Sequence, residues 1–269
     1  MWSTTLFHAL PRWKVLTVGL VAGFGGGLAS LGGGTLVIPL LSEWLGLDRH
    51  RARGTAMALA GVTSLAGALR YGVSGQVQWS TLLWTGLPAA MVAPLAARFS
   101  VHWPDGLLRR LLGLILLAGA AALFFHPGGG AGVALAHPHA WMAITGMIAG
   151  FMAGVVGVSG GPVLAPLFVV GLGMPQQMAQ GSSLNARLPA IFTGVVEDVR
   201  ESLVEWPLLP WLALGDLAGI AVGSQLALAM PEAALRRLFA LLLLLLALHE
   251  LMDRPFSAHG PRRPHDNYP

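Results

Sequence analysis

Apolar residues run along this chain in long blocks, each closed by a short cluster of charges, Pro or Gly. Crossing about 30 Å of hydrocarbon takes about 20 residues of helix. Eight blocks reach that length: 15–42, 53–71, 79–99 and 107–125 in the first half, then 141–172, 178–199, 206–230 and 233–252 in the second. The blocks at 107–125 and 233–252 are Leu-rich and featureless, as lipid-facing helices are. The others are rich in Gly and Ala, which suits close packing of helices inside a bundle. The pattern predicts an all-α polytopic integral membrane protein. An N-terminal signal peptide would also explain an apolar start, but the same pattern recurs in mid-chain, where no signal could lie.

That recurrence organises the chain. A shift of 127 residues, without a gap, lays Gly19-x-x-Ala22-Gly23-Phe24-x-x-Gly27 on Gly146-x-x-Ala149-Gly150-Phe151-x-x-Gly154. It also lays Gly33-Gly34 on Gly160-Gly161, Pro39-Leu40 on Pro166-Leu167, and Leu108-Arg109-Arg110-Leu111 on Leu235-Arg236-Arg237-Leu238. Over residues 19–54 alone, 13 of 36 positions are identical. The expected organisation is an N-terminal extension over 1–11, a four-segment repeat over 12–125, a linker over 126–140, a second repeat over 141–252 and a polar tail over 253–269. Internal repeats of this kind mark many secondary transporters.

The first segment of each repeat is too long for one span. Residues 15–47 would make a helix of about 50 Å. At its centre stand Gly32, Gly33 and Gly34, followed by Pro39, and in the second copy Ser159, Gly160, Gly161 and Pro162, followed by Pro166. Gly and Pro are poor residues for a helix interior, so a break is expected, giving either a kinked span or a re-entrant hairpin of two half-helices. Basic residues separate these two readings. With hairpins, each repeat crosses three times and the second copy is inverted. One side then collects 12 Lys and Arg, the other only Arg70, Arg236 and Arg237. With full spans the split is 7 against 8. The positive-inside rule favours the hairpins, with both termini cytoplasmic.

Composition agrees with a membrane protein and removes several functions. Of 269 residues only 10% are charged and 55% are apolar, whereas average soluble chains are about 25% charged. No Asp, Glu, Lys or Arg occurs from Leu111 through Ala186. The absence of Cys removes thiolate metal sites and cysteine nucleophiles. Net charge is +4 with scattered basic residues, so no footprint for nucleic acid is present. The nine His form no helical H-x-x-x-H pair, no metal site is expected, and no cofactor is implied.

The candidate chemistry is an anion site made largely of backbone. In a hairpin, the second half-helix starts near the membrane centre with free N–H groups and the positive end of its dipole. Gly32, Gly33, Gly34 and Thr35 in one copy, and Ser159, Gly160 and Gly161 in the other, would let an oxyanion approach closely. Tight helix crossing is the competing use of such glycines, and it suits the upstream Gly23/Gly27 and Gly150/Gly154 pairs better. Arg187 and Asp216 are the two charges near the middle of predicted spans, where ionisable groups are costly and face a partner or a water-filled path. They pair as a structural ion pair, or else Arg187 holds an anionic oxygen while Asp216 takes a coupling proton. Ser183, one turn before Arg187, adds a hydroxyl on the same face; Asn185 points elsewhere. Ala60 and Ala89 occupy the matching places in the first repeat. Gly157-Val158-Ser159-Gly160 also reads as G-x-S-G, the surroundings of an intramembrane protease serine, but no His lies deep in a span to serve as its base. No catalytic residue is assigned.

Together these residues resemble a known family. G-x-x-A-G-F-x-x-G, the Gly32–Gly34 turn with Pro39 behind it, Leu45-Gly46, Gly54-Thr55, and the second copy through Gly181-Ser182-Ser183-Leu184 are similar to the sulfite exporter TauE/SafE family, also called the toluene sulfonate uptake permease family. The resemblance implies a bacterial inner-membrane permease for sulfite, organosulfonates or related small anions, with the lipid bilayer and the anion as its partners. Thiosulfate-carrying relatives use intramembrane cysteines, which this chain lacks, so a thiosulfate relay is not expected. No ATP-binding motif is present, so transport would be secondary. An anion channel and a non-transporting assembly or scaffold protein are the alternative functions, and assembly into a homo-oligomer is left open by the sequence.

Overall fold

The computed structural model describes residues 11–31, 34–100, 105–125, 137–156 and 160–252, and the regular structure among them is helical throughout. Gly32, Gly33 and Ser159, together with the extension, most of the linker and the tail, lie outside the described residues. Helix α1, Arg12–Ala29, stops where Ser30 takes a left-handed conformation (φ 54°). Helix α2, Gly34–Pro39, continues as a wider π-helical turn, Leu40–Trp44, just past Pro39, which has no N–H for a normal helical bond. Helix α3, Arg49–Val73, is capped by the Asp48 side chain, which accepts from the His50 N–H at 3.2 Å. A second π turn, Leu82–Gly86, leads into α4, Leu87–Ser100, and α5 is Asp105–Phe125.

The second half runs α6, Pro138–Val156; α7, Gly161–Leu172; α8, Gln176–Ala186; α9, Leu188–Arg200; α10, Leu209–Ala229; and α11, Glu232–Met252. Among the described residues, two helices are long and apolar enough to cross a membrane by length and composition, over His50–Val73 and Leu209–Ala229. The expected segment 15–42 is thus two helices, as is 141–172. The segment 178–199, expected as one, is also two helices, divided at Arg187.

In each half the end of the second helix returns to the start of the first. Trp13 at the start of α1 meets Trp44 at the end of the α2 turn, rings 6.3 Å apart and edge to face. In the second half the Trp141 indole near the start of α6 donates to the Leu167 carbonyl at 3.4 Å and lies over Gly171 near the end of α7. Each half therefore opens with a helical hairpin.

Glycine decides how the hairpins dock. A Cβ built at Gly19 would overlap the Leu212 carbonyl, and one at Gly23 the Asp216 carbonyl, so α1 lies backbone to backbone along α10. Gly146 and Gly150 of α6 meet the carbonyls of Thr85 and Ala89 in the same way, along the second π turn and α4. These contacts fall at positions 127 apart. In both pairs the helices are parallel. α3 runs antiparallel to α8 and α9, with Gly61 beside Ile191 and Gly67 beside Leu184; α5 runs antiparallel to α11, with Gly113 beside Leu251 and Gly119 beside Leu243. Between them, Leu116, Phe168, Phe239 and Leu243 form the largest apolar core. The outer faces are apolar too: Phe125, Met91, Phe192 and Leu245 are 81%, 71%, 71% and 54% exposed. So much outward-facing hydrocarbon suits lipid, not water.

Candidate functional site

Pro189 sets the geometry of the central charge. It has no N–H to offer the Asn185 carbonyl, so the helix ends at Ala186 and restarts at Leu188, with Arg187 at the joint. The Arg187 side chain is only 2% exposed. Its Nε donates to Ser64 Oγ of α3 at 2.8 Å, and its Nη1 donates to the Ser30 carbonyl at the end of α1 at 3.1 Å. Gly161, the first residue of α7, packs against both: a Cβ there would strike the Ser30 carbonyl and the guanidinium. Gly160 precedes it in the left-handed conformation (φ 68°), and the N–H of Gly161 has no helical partner of its own. The tip of one hairpin, the opening turn of the other's second helix and a guanidinium thus meet at one point.

Ser183 joins them, as its spacing from Arg187 predicts. Its hydroxyl lies 2.6 Å from Ser30 Oγ and donates to the Gln180 carbonyl at 2.8 Å, so the proton between the two serines comes from Ser30. Asn185 faces away, its amide donating to Thr81 Oγ1 at 3.3 Å. Gly34 opens α2, and nothing is described of the Thr35 side chain.

Asp216 is fully buried on α10 and does not touch Arg187. Thr63 Oγ1 lies 2.9 and 3.0 Å from its two oxygens. Thr63 and Ser64 are adjacent on α3, so one Thr-Ser step holds the carboxylate with its first residue and the guanidinium with its second. The Thr63-Ser64 step thus links the two charges that the sequence leaves either paired or separate in function. Ser30, Thr63 and Ser64 were not among the expected site residues. The available signal was Ala60, the small counterpart of Arg187 in the first repeat, with Ser64 one turn beyond it.

A cavity of about 450 Å³ opens among α3, α4, α6 and α9, lined by Arg53, Met57, Gly154, Ile191, Asp198 and Arg200 among others. Ile191 at its wall is one turn from Arg187, its N–H donating to the Arg187 carbonyl at 3.0 Å. At the mouth, Arg53 binds Asp198 at 3.2 Å, and Arg51 binds Glu205 in the loop before α10.

A sequence profile of the sulfite exporter TauE/SafE family matches residues 15–250, which takes in both hairpins, Arg187 and Asp216. The chain belongs to the sulfite exporter TauE/SafE family. It is 25% identical over 224 residues to a probable membrane transporter protein, YdhB, of Bacillus subtilis, covering 81% of this chain and 90% of that one. A probable membrane transporter protein of Xylella fastidiosa (strain Temecula1) is 26% identical over 247 residues, covering 87% and 94%. A third, MJ0441 of Methanocaldococcus jannaschii, is 24% identical over 174 residues, 58% of this chain and 61% of that one. No solved structure matches the chain. The TauE/SafE protein described here is therefore a helical membrane transporter, and its apolar outer faces are the surface it turns to lipid.

Proposed function

We propose that this TauE/SafE transporter is a secondary permease for small oxyanions, with sulfite and organosulfonates the first candidates, and that Arg187 is its central anion contact. One observation carries the reading: a guanidinium buried to 2% exposure sits where the Ser30 tip meets the opening turn of α7. A buried charge at such depth is costly unless it serves a path. Arg187 offers a planar fork to an oxyanion, while Gly160 and Gly161 add the positive end of a 12-residue helix without a side chain in the way. Ser183 supplies a hydroxyl beside them. Asp216, held by Thr63 rather than by Arg187, is placed to carry a coupling proton without neutralising the guanidinium by contact. No chemical step on the substrate is part of this reading.

The same contacts support a membrane arrangement as part of this proposal. Parallel α1 and α10, parallel α4 and α6, and hairpins whose tips meet at Arg187 support two inverted repeats, over 12–125 and 141–252, with re-entrant first segments. In that frame the cavity at Arg53 and Arg200 opens to the cytoplasmic side of an inner membrane, with both termini on that side. The experiment is a thermal-shift screen of the purified protein with sulfite, methanesulfonate and acetate. A ligand at 100 times its Kd stabilises by about 2.7 kcal/mol, so at least one of these anions raises the melting temperature by several degrees and has no effect on Arg187→Gln. No shift with any of them, or an equal shift in Arg187→Gln, overturns the proposal.

A further inference from the structure

Helix α8 has two polar faces that are used differently. On one, Ser182 Oγ accepts from the Gln78 N–H at 2.9 Å and Asn185 binds Thr81, tying the helix to the chain between α3 and α4. Gln177 is committed as well: its Nε2 lies 3.1, 3.2 and 3.2 Å from the carbonyls of Ala227, Leu228 and Met230 at the end of α10. The other face reads Gln176, Gln180, Ser183, Arg187, three or four residues apart and so aligned along one side of the helix path. Ser183 and Arg187 meet Ser30 there. Gln176 is fully buried, yet neither its Oε1 nor its Nε2 has a hydrogen-bond partner.

Gln180, also fully buried, is only half satisfied. Its Oε1 lies 3.0 Å from the Tyr71 hydroxyl and its Nε2 has no partner. The same hydroxyl lies 2.7 Å from the Gly27 carbonyl, and a phenol has one proton to give. When that proton goes to Gly27, the Gln180 amide turns over, donates to the phenol and leaves its own oxygen unpaired. In either state one polar atom of Gln180 is left over. Unpaired amides are expensive in any protein interior and call for a specific explanation, more so in a bundle surrounded by hydrocarbon.

We infer that the Gln176 and Gln180 amides, with the Tyr71 hydroxyl, form a second, uncharged binding station for the transported oxyanion, on the side of Arg187 away from the Arg53 cavity. The inference rests on the reading of Arg187 as the anion contact. At 1.5 Å per residue, Gln180 and Gln176 stand about 10 and about 16 Å along the helix from Arg187. Amide and hydroxyl donors bind an oxyanion more weakly than a guanidinium does. A weak station beside a strong one lets the anion leave the strong one, as passage through a protein requires.

The test is uptake of radiolabelled sulfite, methanesulfonate and acetate into proteoliposomes containing the full chain, with melting temperatures measured on the same preparations. Gln176→Met removes the amide at nearly constant length. It should raise KM about tenfold or more, the worth of one hydrogen bond to a charged group, with little change in kcat and an unchanged or higher melting temperature. Gln176→Asn keeps the amide on a shorter stem and should fall between. Gln180→Met reads the same station independently, and serves alone where Gln176→Met does not fold. Unchanged KM in the folded Met variants while Arg187→Gln is inactive overturns the station and leaves Arg187 standing. Absence of uptake of all three anions by the wild-type chain overturns both.

Discussion

Gly23→Ala is the sharpest test of the packing that places Asp216. The new methyl carbon would overlap the Asp216 carbonyl oxygen and stand 2.7 Å from the Asp216 Cα, both backbone atoms that cannot rotate away. Helices α1 and α10 would have to part by roughly 1 Å, and overpacking of this kind costs about 1–3 kcal/mol. For a chain of this size each kcal/mol lowers the melting temperature by about 2–4 °C, so a fall of about 2–12 °C is expected. Gly150→Ala, set against the Ala89 carbonyl, should cost a similar amount. Gly61→Ala is the control: its methyl would meet only Ile191 Cγ2, at an ordinary 3.6 Å. Replacing a helical Gly by Ala gains about 1 kcal/mol, so Gly61→Ala should melt at or above the wild-type temperature. The assay is tryptophan-fluorescence melting of the purified protein in detergent. Equal melting of Gly23→Ala and Gly61→Ala would refute the close α1–α10 contact.

Two further outcomes follow from the site and its frame. Thr63→Val removes the donor that both Asp216 oxygens share and leaves a buried carboxyl unserved, at a cost of about 1–3 kcal/mol; Thr63→Ser should restore the wild-type melting temperature, and equal stability of Val and Ser at this position would sink the bridge. Cysteines placed singly at Leu47 and Pro175, after the second helix of each hairpin, should react with an impermeant thiol reagent from opposite faces of the membrane, and labelling from the same face would reject the inverted arrangement.

Some of this architecture can be read directly from residue order. The separation of α1 from α2 and of α6 from α7 is visible because Gly and Pro interrupt blocks too long for one span. Arg187 and Asp216 stand out because they are the two charges near the middle of predicted spans, while the others cluster at the span ends. What those charges touch is not visible. The Ser30 carbonyl lies 157 residues from Arg187 along the chain and Ser64 lies 123, and small hydroxyl residues are common in packed helices. Matched depths leave a direct pair of Arg187 and Asp216 as one of two readings; the Thr63-Ser64 step between them emerges only when α3 is laid against its neighbours. Pro189 did carry a signal for the break at Arg187, hidden by the apolar run around it. Helix α8 is obscured differently: Gln176, Gln180, Ser182 and Asn185 lower its hydropathy, so a segment buried on nearly every side reads as the polar edge of a span.

On the proposed reading, anions pass through the point where the two hairpins meet and Arg187 holds them there. Its most direct test is saturable uptake of sulfite and methanesulfonate into proteoliposomes, comparing the wild-type chain with Arg187→Gln at matched incorporation and matched melting temperature. Saturable uptake of at least one of these anions by the wild type, and loss of that uptake in Arg187→Gln, is the expected result. Equal uptake by the two proteins would contradict it.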